Sequence, residues 1–177
     1  CLSPRGPAYA QAVSGTYTGN GTSQTISALG FQPAVVIVKG NVGDAADPSR
    51  TETAVMRTST MTGDATKPLV GATALTAGMI TSLTADGFTV GNHAAVNQSG
   101  IGYWWIAFPA AAGELAVGSY VGNAPGTQSI DVGLEPAYVI LMSAGANFAV
   151  HRSSQMTGDQ TMQYDGTSFV SNVITAI

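Results

Sequence analysis

The stretch Gly30-Phe-Gln-Pro-Ala-Val-Val-Ile-Val38 decides the fold, because it occurs a second time as Gly133-Leu-Glu-Pro-Ala-Tyr-Val-Ile-Leu141. Each ends in a continuous β-branched, apolar run bounded by Pro and Gly. A strand buried on both faces has that pattern, whereas a half-exposed strand alternates. The repetition extends outward in order. Upstream, Gly15-Thr-Tyr-Thr-Gly-Asn20 returns as Gly118-Ser-Tyr-Val-Gly-Asn123, and Ser23-Gln-Thr-Ile26 as Thr127-Gln-Ser-Ile130. Downstream, Val55-Met-Arg-Thr-Ser-Thr-Met-Thr-Gly-Asp64 returns as Val150-His-Arg-Ser-Ser-Gln-Met-Thr-Gly-Asp159. Asp86-Gly87 with Val90-Gly-Asn92 is read as matching Asp165-Gly166 with Val170-Ser-Asn172. Ordered blocks of this kind mark an internal duplication.

The pattern predicts an all-β chain of two tandem, related β-sandwich units of jelly-roll or immunoglobulin-like type. The divisions are an N-terminal arm at 1–14, a first unit at 15–112 and a second, shorter unit at 113–177. Copy one runs on into Ile101-Gly-Tyr-Trp-Trp-Ile-Ala-Phe108, an aromatic strand without an equivalent in copy two, which is therefore expected to lack its final strand. Adjacent residues of a strand point to opposite faces. Trp104 and Trp105 cannot share one core, so one of them should meet the other half, a partner or a ligand.

Composition narrows the function. Charged residues are 9% of the 177, the formal charge is −4, and the six Lys and Arg are scattered. Nucleic-acid binding needs clustered cations and is not expected. Low charge also removes a barrier to association. The chain carries none of the hydrolase, metalloprotease or phosphate-loop motifs. Its three Glu residues suggest no glycosidase pair. No enzyme activity and no cofactor are expected.

The same residues resemble a poorly characterised repeat domain of tailed-phage virion and tail-fibre-like structural proteins. Tyr17–Thr22, Gly30–Lys39, Asp86–Gly91, Asn97–Gly100 and Tyr103–Phe108 carry the likeness. Ala34 and Val36 stand where that family often has an acidic and an aromatic residue. The resemblance implies a β-sandwich structural or adhesive component and no catalytic residues.

The expected function is a non-enzymatic assembly protein of an extracellular or virion surface, a fibre, decoration or filament subunit whose partners are copies of itself. Strand addition would join the copies, with Leu2, Pro4, Ala8, Tyr9, Ala10 and Val13 as the donated segment. An alternative is a secreted, lipoprotein-derived pilus-like subunit, with Cys1 as the lipidation site. Another is a carbohydrate-binding adhesion module that takes cell-surface glycan on Trp104, Trp105, Tyr17 or Tyr120. Arg57 with Asp64, and Arg152 with Asp159, are read as structural turn pairs in preference to ligand sites. His93 and His151 lack ligand-spaced neighbours, and Asp44 and Asp47 supply too few carboxylates for calcium, so no metal site is expected.

Overall fold

The computed structural model describes residues 11–40, 53–164 and 169–177. Copy one contains β1 (Val13–Thr18), β2 (Gln24–Ile26), β3 (Pro33–Gly40), β4 (Val55–Thr58), β5 (Lys67–Pro68), β6 (Ile80–Thr84), β7 (Gly87–Val90), the short helix α1 (Ala94–Asn97) and β8 (Gly102–Pro109). Copy two contains β9 (Tyr138–Leu141), β10 (Val150–Ser153), β11 (Thr161–Gln163) and β12 (Phe169–Val170). The chain is all-β and sandwich-like. The short helix lies at Ala94–Asn97, where His93 caps it by accepting from the Ala95 amide through Nδ1 at 3.1 Å.

Copy one is a sandwich. A five-stranded sheet in the order β1-β8-β3-β4-β5 faces a three-stranded sheet in the order β2-β7-β6. The paired strands are antiparallel. Between the sheets, Val36, Val38, Val55, Ile80, Phe88, Val90, Tyr103 and Ala107 form one buried cluster. Fully burying a side chain such as Phe88 contributes about 2–3 kcal/mol.

The four-stranded sheet of copy two, in the order β12-β11-β10-β9, covers the opposite face of β3 and β4. Val35, Met56, Leu69 and Ala149 are buried there, with Ile37, Ala54, Ile140, Met142 and Tyr164 packed around them. Ile37 and Ile140, Ala54 and Ala149, and Leu69 and Tyr164 occupy equivalent positions of the repeat. The copies thus meet face to face through matching residues, the arrangement of an isologous contact. This explains the unbroken apolar run of β3: Val36 and Val38 serve the sandwich core, and Val35 and Ile37 serve the contact with copy two.

The copies match strand for strand at their centres. Val55 and Met56 pair with Pro68 and Lys67, as Val150 and His151 pair with Gln163 and Met162. Thr66 exchanges hydrogen bonds with the backbone of Ile80, and Thr161 does so with Ile174. Ile174 therefore takes the place of Ile80. That corrects the last block of the repeat, since Val170 pairs with Thr161 in β12 whereas Val90 pairs with Gln24 and Ile80. Within residues 113–177 the counterparts of copy one thus reach to about β6.

Candidate functional site

Two lines of residues were singled out as functional, and the structure treats them differently. Arg57 is buried on β4, and its guanidinium donates to the carbonyls of Ala65 (2.5 Å), Gly63 (2.6 Å), Met61 (3.2 Å) and Ile80 (3.2 Å). Arg152 donates to Gln160 (2.5 Å), Gly158 (2.5 Å) and Met156 (3.2 Å). Gly63 and Gly158 adopt positive φ of 59° and 61°, the left-handed turn that lets these carbonyls converge on the Arg. Burial lowers the Arg57 pKa and the nearby Asp64 opposes that shift. Asp64 reaches beyond its own turn, its Oδ2 accepting from the Gly78 amide at 3.0 Å. With both terminal nitrogens turned onto backbone carbonyls, the Arg57 guanidinium ties a loop.

The aromatic residues separate by face. Trp105 packs into the sandwich core, edge-on to Phe88 with centroids 5.5 Å apart, which removes it as an exposed platform. Trp104 points the other way and is 52% exposed. Tyr17 is also removed as a ligand platform. Its ring stacks on Tyr103 at 5.2 Å and its hydroxyl donates to the Val96 carbonyl at 2.5 Å. Burial, with Tyr103 adding to it, raises the Tyr17 pKa.

Tyr120, the repeat equivalent of Tyr17, is 45% exposed. Residues 116–137 of copy two hold no strand, although the sequence of β1 and β2 recurs there. Val121, Ile130 and Val132 are exposed with Tyr120, whereas Leu29 and the partly buried Ile26, at matching places in copy one, pack on the core. Among the described residues β9 is the edge of its sheet, and its free side is the side on which β3 receives β8. The candidate site therefore has two parts, the exposed apolar residues of 118–132 and the β9 edge.

Val13 is not a free donor strand, because it already pairs with Ala107 within β1, two residues before the boundary read at Gly15. Leu2, Pro4, Ala8, Tyr9, Ala10 and Cys1 lie outside the described residues, as do Asp44 and Asp47. Asp159 and His93 join no metal-binding cluster among the described residues. No described helix is long and apolar enough to cross a membrane.

Two residues that the sequence reading passed over organise the molecule. Asn97 is fully buried. It accepts from the Asn20 amide (2.8 Å) and donates to the carbonyls of Gly91 (2.7 Å) and Thr22 and to the Asn20 side chain (3.3 Å), which knits α1 to the end of β1. The Asn-x-Ser-Gly pattern was its only signal. Lys67, also fully buried, donates to carbonyls of both copies: Thr73 in copy one, and Ser143 (3.0 Å), Asn147 (2.9 Å) and Gly145 (3.4 Å) in copy two.

Neither a curated protein nor a solved structure matches the chain significantly. A family model described as a domain of unknown function, DUF7483, matches residues 15–155, from the first residue of copy one through β10 of copy two. The chain belongs to the DUF7483 family.

Proposed function

We propose that this chain is a non-enzymatic structural module of an extracellular or virion-surface assembly, and that it self-associates through the uncovered part of copy two. One comparison carries the reading: Tyr17 is stacked and hydrogen-bonded in copy one, while its equivalent Tyr120 stands 45% exposed. Exposed apolar clusters of this kind mark contact surfaces. The open edge of β9 invites strand addition. The low charge of the chain, 9% of residues, leaves little repulsion to oppose it. The resemblance of Tyr17–Thr22 and Gly30–Lys39 to virion repeat domains supports the same location.

Sedimentation velocity over a wide concentration range tests this. The wild type should associate with rising concentration, and Tyr120→Ser with Ile130→Ser should shift it toward monomer. A wild type that stays monomeric at every concentration would overturn the proposal. A second reading, glycan adhesion, is favoured by Trp104 alone, which is exposed and paired in register opposite Lys39. Glycan-array binding lost on Trp104→Ala would establish it.

A further inference from the structure

Two glycines of copy two have no local reason to be glycine. Gly15 is bare because a Cβ there would lie 2.7 Å from the Trp105 ring, and Gly19 because a Cβ would lie 2.1 Å from the Gln98 carbonyl oxygen. Their equivalents Gly118 and Gly122 have nothing within 4 Å of that position among the described residues, and neither needs a positive φ. Side chains would fit at both, yet the glycines remain.

The neighbouring positions tell the same story. In copy one, Tyr17 holds Tyr103 and Val96, Gly19 exchanges backbone hydrogen bonds with Gly100 and Ile101, and Asn20 holds Asn97. Every one of these partners lies within the segment from α1 into β8. Copy two keeps Gly118, Tyr120, Gly122 and Asn123 at the matching places. The edge of β9 offers the backbone ladder that β3 offers to β8.

We infer that Gly118, Tyr120, Gly122 and Asn123 form the seat for a segment with the chemistry of residues 93–105. The incoming segment brings a buried Asn for Asn123, a Tyr ring for Tyr120 and a Trp ring over Gly118, then continues as a strand antiparallel to β9. Copy one is the template, since it shows what covers each position when the seat is filled. This deepens the assembly reading and rests on the same surface; it replaces the arm at 1–13 as occupant, because an arm without Asn or Trp cannot supply those contacts.

A synthetic peptide of residues 92–109, added to the full chain, tests the inference by calorimetry and amide exchange. Binding is expected, with new protection at 118–123 and 138–141. Gly118→Val leaves the free chain intact, because its side chain enters open space, and should weaken the peptide by about tenfold or more by overfilling the Trp seat. A peptide with Tyr103→Ser and Trp105→Ser should not bind. Absence of binding, protection confined to copy one, or binding indifferent to Gly118→Val would each overturn the inference. The two readings fail separately: a chain that associates but ignores the peptide loses only the occupant, and a monomeric chain that binds the peptide loses only self-association.

Discussion

The ammonium of Lys67 lies 2.9 Å from the carbonyl oxygen of Asn147, joining the last strand of the copy-one sheet to the loop between β9 and β10. Its other acceptors, Thr73, Ser143 and Gly145, are carbonyls as well, so a buried cation is satisfied by backbone dipoles from both halves. Burial lowers the Lys67 pKa. The equivalent residue in copy two is Met162, so the tie exists once.

Lys67→Met should therefore loosen the docking of copy two. Several carbonyls lose a charged donor, and the relieved desolvation of the ammonium offsets part of that loss, leaving about 2 kcal/mol of destabilisation. Thermal denaturation measures the total, and amide exchange should rise first at 143–147.

Acid should weaken the same region through His151. Its ring sits between Tyr138 and Tyr164, with centroids 5.4 and 4.9 Å away, and burial lowers its pKa below the usual 6.5. A lowered pKa means that the unfolded chain takes up the proton first as the pH falls. The contribution is present in full above 6.5 and is lost as the pH falls through the folded value. Urea melts between neutral pH and pH about 4.5 should show His151→Phe losing less stability than the wild type. Parallel curves would remove His151 as the cause.

The two adjacent tryptophans should behave oppositely. Trp105→Ala empties part of the sandwich core against Phe88 and should cost about 3–5 kcal/mol. Trp104→Ala removes a ring that is half in solvent and should change stability by no more than about 0.5 kcal/mol. Chemical denaturation of the two variants checks the contrast.

The elements built from side-chain pattern could be read without the structure. The run 35–38 announced a central strand, whereas 138–142, read the same way, forms β9 at the edge of its sheet with Tyr138 49% exposed; the Trp pair announced that one ring would leave the core. The Arg57 and Arg152 turns were visible because a turn carries a signature in Gly63 and Gly158. What stayed hidden depends on backbone acceptors. The carbonyls around Lys67 come from residues 73 and 143–147, and no residue type encodes a carbonyl. Trailing Val-x-Asn residues also misled the alignment of the last block, because only the Thr161–Ile174 exchange shows that the hairpin of β6 and β7 has no counterpart there. For the proposed seat on copy two, the recurrence of Tyr17 as Tyr120 was legible, but the open space around Gly118 and Gly122 was not.

The double coverage of β3 has a consequence for how the family can vary. Positions 36 and 38 answer to Ile80 and Phe88, while positions 35 and 37 answer to Ile140 and Ala149. Neighbouring residues on one strand thus belong to two separate packing sets, and alternate positions should covary with different partners. A relative reduced to a single copy would keep the first set and exchange the second for polar residues, turning an inner strand into an outer one.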